Sequence, residues 1–298
     1  MKNILLATLA LVASGFAQAP TPVPKPKPPP PPGVTEVLDL PYVTGGHERQ
    51  RLDLYLPAKE GVRPLIVWMH GGAWWGGSKD LDYAYCRRMA EQGYVVASLG
   101  YRLSRTAAWP AQLEDCKSAI RWLRANAAKY RFDPQRVGAM GFSAGGHLVQ
   151  MLGVTGDGRD FDAGEHLDQS SAVQAVVSLN FIPTFPTSTA VSANDKTAPN
   201  WYDQPYSVIF GGELRDHLDE ARSATPTTYA NKGDAPMLLK FGTKDPVIPA
   251  AAQPAYQKAF EDGGVIVQSV ATSLGHTPSG TPESDAARDA FLAKHLQP

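Results

Sequence analysis

The chain has 298 residues, 43% of them hydrophobic, with 28 Lys and Arg against 29 Asp and Glu for a net charge of −1. That length accommodates one large domain or two small ones, with the apolar share of an ordinary soluble globular protein. A balance so near zero gives no reason to expect nucleic acid or an anionic membrane surface as partner.

The first residues do not read as part of a fold. Met1-Lys2-Asn3 carries a short positive region, Ile4 to Phe16 an apolar one, and Ala17-Gln18-Ala19 small residues at A-x-A spacing. The apolar run is too short to span a bilayer, so residues 1–19 are expected to be a cleaved signal peptide. Pro20 makes a poor first residue, which favours cleavage after Ala17 over Ala19, and no cysteine near the boundary suggests a lipid anchor. The expected location is secreted or periplasmic. Residues 20–33 are dominated by proline, with Pro28 to Pro32 unbroken. Such a stretch builds no core and favours polyproline II, making a spacer of about 40 Å at about 3.1 Å per residue. A tether is the reading preferred over a recognition motif, and the folded domain is expected over residues 34–298.

Short strand patterns at Thr35–Leu40 and Arg51–Leu56 come first, the second with Leu52, Leu54 and Leu56 alternating as in a half-buried edge strand. Pro64–Met69 is a continuous apolar run, expected of a strand buried on both faces. A helix over Leu81–Gln92 leads to a strand at Tyr94–Ser98. Pro110 opens a helix to about Arg131, with Leu113, Cys116, Ile120, Leu123 and Ala127 at three- and four-residue steps. Strands at Arg136–Met140, Val173–Asn180, Pro236–Gly242 and Val265–Val270, with helices near Ala251–Glu261 and Glu283–His295, complete the pattern. Apolar strands alternating with helices predict an α/β protein with a mostly parallel, doubly wound sheet. Gly156–Ser171 and Pro183–Arg222 read as surface insertions. The two cysteines, Cys86 and Cys116, fall in helices on opposite faces of such a sheet and read as separate buried thiols rather than a disulfide.

Three strand ends carry residues suited to chemistry, and ligands bind parallel sheets at that edge. Gly141-Phe142-Ser143-Ala144-Gly145 follows an apolar strand and precedes a helix-like stretch. G-x-S-x-G in this setting places a serine on a sharp turn at a helix N-terminus, where free N–H groups favour negative charge. A tight turn with an exposed serine is the plain alternative. His70-Gly71-Gly72-Ala73-Trp74-Trp75-Gly76-Gly77 follows a buried strand, and its glycines let backbone N–H groups turn toward a developing oxyanion. The donors are assigned to Gly72 and Ala73, with a third from Ala144. A phosphate-cradling loop competes, but Gly-Gly-Ser-Lys has serine and lysine in the wrong order for it. His70 reads as a partner holding the loop. Trp74 and Trp75 are candidates for walls of the acyl or alcohol pocket, with simple packing as the other reading.

Asp245 follows the Pro236–Gly242 strand, and His276 follows the last strand. Of seven histidines only His276 and His295 come after both the serine and a strand-end aspartate, and of these His276 is the one that follows a strand. Ser143, Asp245 and His276 then form a candidate triad for acyl transfer, with Asp216 and Asp219 as alternative acids. That chemistry calls for no metal or organic cofactor. His147 reads as a packing residue one turn into the helix after Ser143, and His47, His166, His217 and His295 as surface residues. Asp157, Asp160, Asp162 and Glu165 invite a calcium reading, but their spacing is not that of an EF-hand loop, and a solvated loop is preferred.

The sequence from about Leu52 to His295 resembles the α/β-hydrolases of the hormone-sensitive-lipase-like and bacterial feruloyl-esterase-like (BD-FAE) type. The resemblance rests on Leu52-Asp53-Leu54-Tyr55-Leu56-Pro57, the His70 loop with Ser78-Lys79-Asp80, Tyr101-Arg102-Leu103-Ser104 and Pro110–Asp115. Gly141–His147, Gly156-Asp157, Gly164–Asp168 and Gly242–Pro249 add to it. It implies an eight-stranded α/β-hydrolase fold with small surface insertions and a serine hydrolase acting on short acyl esters, some relatives removing acetyl or feruloyl groups from plant polysaccharides. The expected partner is accordingly a small-molecule or polysaccharide-linked ester. Gly100 departs from the Asp usual before Tyr-Arg-Leu-Ser, the loop Ser104–Trp109 is altered, and Thr277-Pro278 replaces the commoner Gly-Phe after the histidine. An amide-cleaving relative and a cell-envelope binding protein working through its proline tether are the competing functions.

Overall fold

The computed structural model describes residues 27–156, 158–181, 185, 205–212 and 214–296. The expected signal peptide, residues 20–26 of the proline stretch, Asp157 and most of Pro183–Arg222 lie outside the described residues. Two units are distinguished, Met1–Pro30 and Pro31–Pro298. Residues 27–30 of the first carry no helix or strand.

The second unit runs β1 (Val34–Pro41), β2 (Arg51–Pro57), β3 (Arg63–Met69), α1 (Tyr83–Glu91), β4 (Val95–Leu99), α2 (Ala111–Ala125), α3 (Ala127–Tyr130), β5 (Phe132–Phe142) and α4 (Ala144–Thr155). It continues with β6 (Ala175–Leu179), α5 (Pro205–Phe210), α6 (Leu218–Ser223), β7 (Met237–Gly242), α7 (Gln253–Asp262), β8 (Val267–Thr272) and α8 (Pro282–Leu296). The eight strands form one sheet in the order β1-β2-β4-β3-β5-β6-β7-β8. Only β2 runs against its neighbours; the pairings from β4 through β8 are parallel.

Alternation along each buried strand builds two cores. Leu65, Val67 and Met69 of β3 join Leu113, Ile120 and Leu123 of α2 and Leu148 and Leu152 of α4 on one face. Ile66 and Trp68 join Cys86 and Met89 of α1 and Phe291, Leu292 and Leu296 of α8 on the other. Each such side chain contributes roughly 1.5–3 kcal/mol when fully buried. Cys86 and Cys116 are buried in these two opposite cores and form no disulfide.

Two expectations are corrected. β2 is an inner strand and β1 takes the edge. The alternating leucines mark only one buried face of β2; on the other, Tyr55 packs with Cys86, and Asp53 is buried because Lys79 Nζ lies 2.8 Å from its Oδ1. The long helix from Pro110 also ends early, at Asn126 (φ −108°, ψ 11°), and resumes as one turn before the left-handed Arg131. The insertion over 156–171 is tied to α2: Lys117 Nζ and Arg121 Nη1 both reach Asp162 Oδ1, at 3.4 and 2.9 Å, and Arg121 also donates to the Ala163 carbonyl.

Candidate active site

β5 delivers its last residue, Phe142, to a turn in which Ser143 takes φ 54° and ψ −117° before α4 begins. A non-glycine residue held in that region stores strain of about 1–3 kcal/mol, and it persists only where the surroundings fix it. Here the Ser143 N–H donates to the Leu179 carbonyl at 2.9 Å, and the His147 N–H to the Ser143 carbonyl at 3.1 Å. Gly141 and Gly145 are required by space: a Cβ on the first would strike the Gly145 carbonyl, and one on the second the Met69 carbonyl. The serine is left 8% exposed.

The loop after β3 presses against this turn, since a Cβ on Gly71 would lie 3.2 Å from that of Ser143. Gly72, Ala73 and Trp74 all have positive φ (123°, 52° and 58°), and the N–H groups of Trp75 and Gly76 close back onto the Gly72 carbonyl at 3.0 and 2.8 Å. The N–H groups of Gly72, Ala73 and Ala144 make no hydrogen bond to another described residue. His70 anchors the loop: Nδ1–H donates to the Gly71 carbonyl at 2.7 Å, the Tyr101 hydroxyl donates to the His70 carbonyl at 2.8 Å, and the two rings stack at 4.3 Å. Burial, reinforced by the Arg49 charge, pushes the His70 pKa down to about 4 against the opposing effect of the Gly71 bond, so the ring is neutral near pH 7. Arg49 closes the loop by donating to the carbonyls of Gly77 (2.7 Å) and Tyr101 (3.0 Å).

The two tryptophans part company. Trp75 is 47% exposed, with the Arg105 guanidinium 4.9 Å from its ring. Trp74 has no exposed surface and packs between His147 (5.2 Å) and Phe185 (5.5 Å). Its assignment as a pocket wall is therefore corrected to core packing; the left-handed backbone at Trp74 carries the indole into the core. His147 is buried too, its Nε2–H donating to the Ala224 carbonyl at 2.6 Å. Gly100 has no room for a side chain, since a Cβ there would lie 2.6 Å from the Arg49 carbonyl.

Asp245, just beyond β7, is almost wholly enclosed, with its side chain 1% exposed. Its Oδ1 accepts the N–H groups of Val247 (2.8 Å) and Ile248 (2.9 Å). Oδ2 accepts Asn180 Nδ2 at 2.7 Å and His276 Nδ1 at 2.8 Å. Burial alone raises a carboxyl pKa, but these donors outweigh it, led by Asn180 and the Ile248 amide, and hold Asp245 below the usual range. The other nitrogen of His276, Nε2, lies 3.0 Å from Ser143 Oγ. With Nδ1–H committed to the carboxylate, the Nε2 lone pair faces the serine hydroxyl. The structure thus brings Ser143, His276 and Asp245 into one hydrogen-bonded chain at the carboxyl edge of the sheet. Of the alternative acids, Asp219 is exposed on α6 and paired with Arg222, and neither it nor Asp216 bonds His276.

Asn180 and Arg49 were not singled out from the sequence. Asn180 directly follows β6, so a scan of strand ends for polar residues finds it; Arg49 lies in a turn before β2 and has no such signal. Beneath the serine turn, the Tyr256 hydroxyl donates to Gln150 Oε1 (2.6 Å), Gln150 Nε2 to Ser178 Oγ (2.8 Å), and that hydroxyl to the Gly146 carbonyl (2.9 Å). This buried chain ties α4 to β6 and α7. Among the described residues no group of three or more His, Cys, Asp or Glu is placed to hold a metal ion.

A parallel sheet with one reversed strand near its edge, and a strained serine where β5 turns into α4, is the α/β-hydrolase fold. The chain belongs to the BD-FAE family, whose model matches residues 52–259. It is 29% identical over 240 residues to Esterase LipQ of Mycobacterium tuberculosis (strain ATCC 25618 / H37Rv), covering 78% of this chain and 54% of that protein. The chain spans about half the length of the curated relatives it matches. Among solved structures, a truncated carbohydrate esterase from gut microbiota superposes with a TM-score of 0.78 at 27% identity, over 90% of this chain and 99% of that one. Thermogutta terrifontis esterase 2 phosphoramylated by tabun gives a TM-score of 0.70 at 25% identity, over 92% of this chain and all (100%) of that one.

Proposed function

We propose that the chain is an exported serine carboxylester hydrolase acting on short-chain acyl esters. The observation that carries this reading is His276, hydrogen-bonded through Nδ1 to Asp245 at 2.8 Å and through Nε2 to Ser143 at 3.0 Å. The reaction follows from that geometry. Ser143 Oγ attacks the ester carbonyl carbon as its proton passes to His276 Nε2, and the carbonyl π pair moves onto oxygen. That oxyanion is received by the N–H groups of Gly72, Ala73 and Ala144, which make no hydrogen bond to another described residue. Collapse breaks the bond to the alcohol oxygen, which takes the Nε2 proton and leaves. Water, deprotonated by the same nitrogen, then releases the acid from the acyl-serine. Asp245 stays ionised throughout, holding the ring tautomer and stabilising the imidazolium between steps.

The relatives support the reading: one is named an esterase, one is titled a carbohydrate esterase, and one is titled as phosphoramylated by tabun. A sugar-linked ester is the finer proposal, favoured by Trp75, an aromatic residue 47% exposed on the loop proposed to supply two of the oxyanion donors. Export rests on the pattern of residues 1–19. Hydrolysis of p-nitrophenyl acetate tests the reaction: Ser143→Ala is expected to abolish it, and turnover at the wild-type rate in that variant overturns it. Release of acetate from acetylated xylan, compared with free short-chain esters, tests the sugar-linked substrate; rejection of the xylan removes that refinement.

A further inference from the structure

β7 contains a residue its position does not explain. Along the strand, Met237 and Leu239 face one core and Leu238 faces the other. Lys240 falls in the phase of Leu238, where an apolar residue is the rule, and it is 4% exposed. A charge so placed is retained only where its donors are matched. Here they are: Nζ lies 3.2 Å from the Thr277 carbonyl, 3.4 Å from that of Pro278 and 2.5 Å from that of Ser279. An ammonium has three N–H donors, and three consecutive carbonyls receive them.

Those carbonyls belong to the residues directly after His276. On the other side of the histidine, the Gly275 carbonyl accepts Asn180 Nδ2 at 3.2 Å. The Lys240 main chain joins the same assembly, its carbonyl accepting the Asn180 N–H at 2.8 Å. His276 is therefore held from both sides, and Lys240 is the downstream hold. We propose that Lys240 is a positioning residue for the reaction: its ammonium clamps the carbonyls of 277–279 and so fixes His276 between Asp245 and Ser143. The proposal rests on the serine hydrolase reading of that histidine.

Its consequence is a dependence on pH. Burial pushes the Lys240 pKa down to about 8, partly offset by Asp285. The charged groups facing it are Asp285 and Arg288 from α8 and Asp245 beyond the end of its own strand. A neutral amine has two N–H donors for three carbonyls, so the clamp is complete below about pH 8 and loosened above it. The sign for stability is opposite. Between about pH 8 and the ordinary lysine range the unfolded chain holds the proton that the folded chain has released, so stability gains from this group as pH rises. Loss of activity above pH 8 without loss of stability is the signature of a positioning role.

The experiment compares wild type, Lys240→Met and Lys240→Arg in p-nitrophenyl ester hydrolysis and thermal melting from about pH 6 to pH 10, over the range in which this group titrates. Wild type is expected to lose kcat reversibly above about pH 8. Lys240→Met is expected to stay folded, to lose kcat by about tenfold or more at neutral pH with KM within about twofold, and to lack the alkaline limb. Lys240→Arg is expected to move that limb to higher pH. Wild-type kcat and an unchanged alkaline limb in Lys240→Met overturn the proposal. If that variant does not fold, the other two proteins decide: a flat wild-type profile to pH 10, or a limb that Lys240→Arg does not move, is equally fatal. The underlying reading fails separately, if wild type shows no esterase activity or Ser143→Ala retains it.

Discussion

Asn180 Nδ2 lies 2.7 Å from Asp245 Oδ2, the same oxygen that receives the Nδ1 proton of His276. Asn180 is 1% exposed, and its backbone is held at φ 46° by the bond from its N–H to the Lys240 carbonyl. An amide donor aimed at a buried carboxylate both keeps it ionised and sets the direction of its remaining lone pairs.

Replacing Asn180 with Ala is therefore expected to raise the Asp245 pKa. The acid limb of kcat/KM should move to higher pH and kcat fall, with KM little changed. Loss of one buried charge-assisted bond should also lower stability by about 1.5–3 kcal/mol. A pH–rate profile identical to wild type contradicts this role.

Asp245→Asn keeps the shape of the site but presents an N–H where His276 needs an acceptor. The ring then turns to the tautomer with its proton on Nε2, facing Ser143. A fall in kcat of about 10⁴ is expected, the size seen for the equivalent change in a serine protease. A loss of less than about tenfold contradicts the assignment of Asp245 over Asp219 and Asp216.

Gly72→Val tests the oxyanion loop. Its φ of 123° suits glycine, and a Cβ would run into the Gly76 carbonyl that closes the loop. Displacing one donor is expected to cost about 2.7–4 kcal/mol of transition-state stabilisation, or roughly 10²–10³ in kcat. A circular dichroism melt should show the domain still folded, because Gly72 itself belongs to neither core.

Acid stability follows from two enclosed imidazoles. Burial pushes both His70 and His147 down to about 4, so each is neutral in the fold at pH 5 while the unfolded chain binds a proton there. The unfolded state therefore holds more protons across roughly pH 4 to 6.5, and stability falls as pH drops through that window. Denaturant midpoints should decline from pH 7 to pH 5, and His147→Phe should decline less steeply. A flat midpoint over that range contradicts buried neutral histidines.

How much of this was legible in the sequence depends on whether the signal is local. The strand runs, the serine turn and the strand-end positions of Asp245 and His276 are local patterns; the strands form with shifted ends, as in β8 at Val267–Thr272 against the run Val265–Val270. The inner place of β2 was not legible, because the Asp53 partner, Lys79, lies beyond the next strand. Lys240 was hidden inside an apolar strand, and its meaning depends on a loop 37 residues later. Arg49 reaches Gly77, 28 residues on. Trp74 and Trp75 are adjacent and chemically alike, and only the turn between them sends one inward and leaves the other in solvent. What sequence reading lacks in each case is cross-element register, not residue chemistry.

In the proposed reaction Ser143 is the nucleophile. A fluorophosphonate reacts covalently with a serine activated by a neighbouring base, so mass spectrometry of the digested, labelled protein tests the claim most directly. The expected result is a single stoichiometric adduct on the peptide containing Ser143, absent from Ser143→Ala and greatly slowed in His276→Ala. An adduct on another residue, or an unlabelled protein that still hydrolyses esters, contradicts it.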